Sequence, residues 1–171
     1  MDFFETVKTR ASYRGEFKET PIPEEDIRKI IEAGICAPSA GNAQETSFAA
    51  VIKPEVREKI ADIFKPNTIR TAPLIIVVIE QSRGQAWVQE YSVEDYAAAT
   101  ENILLAATAL GYATLWMDGM TRTQQNSEKV KKILNLDEGW SVKTVIPVGI
   151  PVTKEKQAPK SNFDKREVIL K

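Results

Sequence analysis

Arg10 and Arg14 flank Ser12 in the stretch Arg10-Ala11-Ser12-Tyr13-Arg14. Two planar guanidiniums with a hydroxyl between them suit a cluster of phosphate or carboxylate oxygens, because each guanidinium offers its donors in a fixed fork. On a helix or its frayed end, the i to i+4 spacing predicts both heads on one side. A second polar constellation follows at Pro38-Ser39-Ala40-Gly41-Asn42-Ala43-Gln44. Its carboxamides both donate and accept, as recognition of a heterocycle edge requires. An arginine pair alone also reads as a solvated helix end. The two constellations together predict an anionic, ring-bearing cofactor.

Histidine is absent, and Cys36 is the one cysteine. These counts exclude a Ser-His-Asp or Cys-His mechanism, any His-ligated metal, and thiolate-rich zinc or iron–sulfur sites. Chemistry must therefore come from carboxylates, lysine, tyrosine or a borrowed cofactor, with no metal and no catalytic side chain singled out. The net charge of −1 gives no bulk basic field, so neither nucleic acid nor an anionic membrane is an expected partner. The N-terminus lacks a basic region followed by an apolar core. The longest apolar runs, Pro73 to Ile79 and Ile103 to Ala107, are too short to span a bilayer. With a single cysteine, the expected location is the reducing cytoplasm. At 171 residues, 43% hydrophobic and 27% charged, residues 1–171 predict one globular domain.

The elements that must position these residues follow from spacing. Asp2 to Thr9 predicts a short helix with Phe3, Phe4 and Val7 on one side. Glu24-Glu25-Asp26 opens a second helix, with Ile27, Ile30, Ile31 and Ile35 at helical spacing. Phe48 to Ile52 predicts a strand, and Pro54 starts a helix carrying Val56, Ile60, Ile63 and Phe64. The continuous β-branched run Leu74 to Ile79 predicts a strand buried on both faces. Val93 to Leu110 is the longest helical segment. Its second half is apolar nearly all round, which places it at the centre of the fold, and Gly111 stops it. Ala113 to Met117 and Ser141 to Val148 predict strands, and Gln124 to Leu134 a helix. Two helices precede any strand and two connections are long, so the predicted fold is α+β with a mixed sheet. No Gly-x-Gly-x-x-Gly follows a strand, and no P-loop pattern is present. Cys36 reads as a small buried side chain, and Trp87, Trp116 and Trp140 read as packing. Asp118 reads as a solvated turn carboxylate.

Arg10 to Arg14, followed about 25 residues on by Ala37-Pro38-Ser39-Ala40-Gly41-Asn42-Ala43-Gln44, resembles the nitroreductase-like family of FMN-dependent oxidoreductases. Further matches fall in order: Ala72-Pro73, Asn102 to Ala107, Leu110-Gly111-Tyr112, Trp116-Met117-Asp118-Gly119 and Val148-Gly149-Ile150-Pro151. The resemblance implies a homodimer of α+β subunits, each with a mainly antiparallel central sheet flanked by helices, and FMN at the subunit interface. It assigns Arg10, Ser12 and Arg14 to the phosphate, ribityl chain and pyrimidine edge of FMN. Pro38, Ser39, Asn42 and Gln44 would line the same pocket, some of them from the other subunit. Trp116, Met117, Asp118 and Gly119 would supply backbone groups near the flavin N5, and Lys160 would approach the phosphate.

Two departures stand out. Gln44-Glu45-Thr46 replaces the family's frequent Gln-Pro-Trp, and Asn162 replaces an arginine usual two positions after Lys160. The lid is reduced to about Gln81–Val93, which implies an open substrate pocket. The implied activity is hydride transfer from NAD(P)H through flavin N5 to a nitroaromatic, quinone or similar small acceptor. Two other readings stay open: a flavin-binding or flavin-storing protein without NAD(P)H turnover, and a dehalogenating or flavin-modifying member of the same fold.

Overall fold

The computed structural model describes residues 1–81 and 86–154, together with Ala158 and Arg166. In chain order the helices are α1 (Phe3–Thr9), α2 (Glu24–Ile35), α3 (Pro54–Ala61), α4 (Asn67–Thr71), α5 (Ala86–Gln89), α6 (Ser92–Ala109), α7 (Asp118–Arg122) and α8 (Asn126–Ile133). The strands are β1 (Thr46–Val51), β2 (Leu74–Gln81), β3 (Ala113–Thr114) and β4 (Trp140–Gly149). They form one sheet in the order β1-β2-β4-β3, and each neighbouring pair is antiparallel. The mixed sheet expected from the sequence is thus an antiparallel one. Among the described residues its parallel component is a single bridge from Ser12 to Thr114 at the β3 edge.

β2 is buried on both faces, as its run of branched residues predicts. Alternation sends Ile75, Val77 and Ile79 to one side, where they pack with Ile60 of α3 and Val130 of α8. Leu74, Ile76 and Val78 go to the other side, with Ile27 and Ile30 of α2 and Ile103, Leu104 and Ala107 of α6. Each fully buried branched side chain contributes about 1.5–3 kcal/mol. α6 is therefore central, one residue offset at each end from its predicted span. Gly111 follows it at φ +88°, a conformation that costs glycine little.

Between β2 and β4 the register shifts at Val78/Ile79: Val78 faces Thr144 while Ile79 faces Val142. Lys143 is the extra residue of this bulge, and bulges re-aim the side chain they carry. Its Nζ lies 3.2 Å from Oε1 of the buried Glu80. Other elements differ modestly from expectation. α3 ends at Ala61, leaving Ile63 and Phe64 in a turn, and a further short helix, α4, follows Pro66 at Asn67–Thr71. β3 stops at Thr114, three residues short of Met117. Cys36 is exposed, contrary to the apolar-stripe reading, because it falls one residue past the end of α2.

Candidate active site

Asp2 caps α1 by accepting the Glu5 N–H at 3.1 Å, and the helix ends at Thr9. Arg10 to Arg14 then runs extended, which corrects the helical geometry expected for this pair. The physical cause is long-range. Ser12 bridges to Thr114, and the Tyr13 N–H donates to the Thr114 carbonyl at 2.8 Å. Tyr13 is buried, and its hydroxyl donates to the Glu16 carbonyl while accepting the Val152 N–H at 3.1 Å. Tyr13 is turned inward, while Arg10, Ser12 and Arg14 are the alternate residues of the segment. Arg10 Nε sits 3.5 Å from Glu101 Oε1 on α6, and Arg14 Nη1 donates to the Ser12 carbonyl at 3.2 Å.

The second constellation is a tight loop after α2. Asn42 N–H donates to the Ser39 carbonyl, Ala43 N–H to the Ala40 carbonyl, and Gln44 N–H to Ser39 Oγ at 3.1 Å. Gly41, Asn42 and Gln44 all take left-handed backbone, with φ of +54°, +55° and +54°. Asn42 and Gln44 are exposed. Asp95 Oδ1 on α6 accepts the Ala40 N–H at 2.9 Å. Beneath the loop lies a cavity of about 200 Å³ lined by Pro38, Ser39, Gln44, Thr46, Asp95 and Ala99 among others; Arg10, Ser12 and Arg14 do not line it.

The third group, Trp116 to Gly119, enters α7. Met117 is buried in the core, and its N–H donates to the Val145 carbonyl at 3.1 Å, so neither its side chain nor its amide faces outward. Asp118 and Gly119 open α7, where an N–H has no partner one turn back. A methyl built at Gly119 meets nothing within 4 Å, so open space lies beside it. Trp116 is partly buried, with its indole Nε1 enclosed and unpartnered among the described residues. Asp118 is half-buried, not solvated: Arg122 Nε donates to its Oδ1 at 2.8 Å and Tyr96 Oη at 3.4 Å. Burial pushes its carboxyl above the usual range. Lys160 and Asn162 lie outside the described residues.

α6 touches all three groups, through Asp95 to the loop, Tyr96 to Asp118 and Glu101 to Arg10. Asp95 and Glu101 are six residues apart, which leaves their side chains roughly 120° apart around the axis. The loop and the cationic strip therefore attach to different sides of one helix. From the sequence, Asp95 reads with Tyr91 and Tyr96 either as a substrate contact from the lid or as a solvated helix start; neither reading includes its bond to the loop. An acid in a helix's first turn reads as a dipole-favoured surface charge, and only a partner 55 residues away distinguishes it.

A sequence profile of the nitroreductase family matches residues 7–69 and 64–150. The chain is 32% identical over 171 residues to a candidate NADH dehydrogenase/NAD(P)H nitroreductase of Methanothermobacter thermautotrophicus, covering 99% of this chain and 87% of that one. A similarly named protein of Archaeoglobus fulgidus is 34% identical over 146 residues, covering 85% and 83%. Among solved structures, a candidate NADH oxidase of Clostridium acetobutylicum superposes with a TM-score of 0.85 at 31% identity, over 97% of this chain and 99% of that one. A nitroreductase-fold protein of Desulfovibrio desulfuricans solved with FMN gives 0.85 at 23% identity, over 100% and 98%. The chain belongs to the nitroreductase family, and its class is that of a nitroreductase-type oxidoreductase.

Proposed function

We propose that this chain is an FMN-dependent oxidoreductase that carries a hydride from NAD(P)H to a nitroaromatic, quinone or similar small acceptor. It works as a homodimer with FMN at the subunit interface. The observation that carries the reading is the extended strip Arg10–Ser12–Arg14, pinned by the Ser12–Thr114 bridge with Tyr13 facing the core. FMN, when bound, supplies the hydride chemistry at N5, which is why a chain without histidine suffices.

The residues present fit that group. Arg10, Ser12 and Arg14 offer two cationic forks and a hydroxyl for phosphate, ribityl and pyrimidine oxygens. The exposed carboxamides of Asn42 and Gln44, with Pro38 and Ser39, present the second edge. The N–H groups of Asp118 and Gly119, at the start of α7, would be the donors offered to N5, since the Met117 N–H is committed to Val145 and Trp116 packs against the core. Donors fixed in advance where negative charge develops lower the cost of holding it. The loop and the strip attach to different sides of α6, and in this reading a second copy supplies the loop that faces the strip. The apolar α1 face, Phe3, Phe4 and Val7, is exposed and continues into a groove lined by Cys36, Leu105, Ala106 and Ala109. A second copy is its occupant in this reading. Relatives named NAD(P)H nitroreductases support the donor, and the FMN-bound neighbour supports the cofactor.

The deciding measurement is the absorbance spectrum of purified protein, reconstituted with FMN, before and after anaerobic NADPH or NADH. Flavin bands that bleach and return on adding a quinone are expected. Flavin that binds and stays oxidised with both donors would leave a flavin-binding protein without turnover.

A further inference from the structure

Asp95 lies in the first turns of α6 yet does not serve that helix. The residue preceding the helix is Tyr91, with no side-chain cap, and Asp95's own N–H already bonds to the Tyr91 carbonyl at 3.0 Å. Its carboxylate leaves the helix and accepts the Ala40 N–H at 2.9 Å. Among the described residues the loop's other hydrogen bonds are internal: Asn42 and Gln44 N–H groups return to Ser39, and Gln44 Nε2 reaches the Asn42 carbonyl at 3.4 Å. Asp95 thus supplies a tie that fixes the loop to the body of the fold at its first turn. Left-handed backbone at Asn42 and Gln44 persists only where surroundings over-determine it.

From this geometry we infer that Asp95 is a positioning residue: its carboxylate holds the Ser39–Gln44 loop in the conformation that presents Asn42 and Gln44 to the cofactor. The inference rests on the flavin reading for its ligand and on Ala40 for its mechanism.

The charge surroundings support it. Asp95 is 8% exposed, and burial raises its pKa; the Ala40 N–H pulls it back, and Glu80, Glu94 and Glu45 push it up again. Glu80 and Glu45 are themselves buried. The nearby cation Lys143 is engaged with Glu80. For stability alone, a neutral side chain would serve this position better, since ionising a buried carboxyl beside like charges opposes folding.

The test compares Asp95→Ala, which removes the acceptor, with Asp95→Asn, which keeps a neutral one. Amide exchange at Ala40 is followed by NMR in flavin-free protein, FMN binding by fluorescence quenching, and Tm separately. In Asp95→Ala, Ala40 exchange should speed up, and the FMN dissociation constant should rise, by roughly tenfold, the scale of one charged hydrogen bond. Asp95→Asn should keep both within roughly threefold and show a Tm at or above the parent's. FMN binding unchanged in Asp95→Ala would overturn the inference. So would losses that track Tm equally in both variants. If the parent binds no FMN, the flavin reading fails by itself, and Ala40 exchange alone decides whether Asp95 holds the loop.

Discussion

The Trp87 indole lies over Gly41: a methyl built on Gly41 would sit 2.5 Å from Trp87 Cη2. The short helix α5 and the Ser39–Gln44 loop are therefore in direct contact, although Trp87 reads in the sequence as ordinary packing. Gly41 also holds φ +54°, where a side chain costs about 1–2 kcal/mol. Gly41→Ala should lower stability by about that amount and displace the indole. Thermal unfolding and tryptophan emission, read against a Trp87→Phe background, check it. A variant with the parent's Tm and emission would show that Trp87 does not rest on the loop.

Arg14→Ala should weaken FMN binding by roughly ten- to a hundredfold, because a hydrogen bond to a charged group contributes about 1.5–3 kcal/mol. The loss should shrink as salt rises, since part of it is screened charge. Fluorescence titration at two ionic strengths measures both effects. Binding equal to the parent would remove the phosphate assignment. Lys160→Ala should cost less, because Asn162 leaves that region without its usual second cation.

Tyr112 Oη donates to Asp26 Oδ2 at 2.6 Å, joining the end of α6 to the first turn of α2. Burial, then the bond to Asp26, push the phenol up to about 12. A raised folded-state pKa means that the contribution is full below the ordinary value of 10 and is lost as pH rises towards 12. Tyr112→Phe should cost about 1 kcal/mol near neutral pH, a figure reduced for partial exposure. The gap to the parent should close through that alkaline window. Denaturant unfolding at several pH values reads it, and a constant gap would contradict the linkage.

Phe3 and Phe4 are 66% and 72% exposed and pack edge to face on each other. Replacing both with glutamate removes little internal packing, because neither is in the core. It should nonetheless yield a folded monomer by sedimentation, with weakened FMN binding. A double variant that stays dimeric and flavin-loaded would place the interface elsewhere.

Where local pattern decides structure, the sequence is readable. The branched run at Leu74 to Ile79, the apolar half of α6 and the stop at Gly111 all express their environment in residue type. Where a distant partner decides, it is not. Arg10 to Arg14 reads as helical by spacing, but the edge at Thr114 and the pocket for Tyr13 draw it extended. Asp95 and Asp118 look like surface acids, since nothing local announces Ala40 or Tyr96. The strip and the loop are legible as chemical groups, but their attachment to different sides of α6 is not. That depends on helix phase and on which face the sheet covers.

The bulge at Lys143 sets how β4 tolerates loss of a residue. Without position 143, Val142 and Thr144 become consecutive opposite Ile79 and Val78, and the ladder closes as a regular one with every flanking pair unchanged. Removing any neighbour between Thr144 and Val148 would instead invert the inward and outward faces of the residues on one side of the gap. Deleting Lys143 together with Glu80→Gln, which spares a buried carboxylate left without its cation, should therefore give a folded protein, whereas deleting Val145 should not.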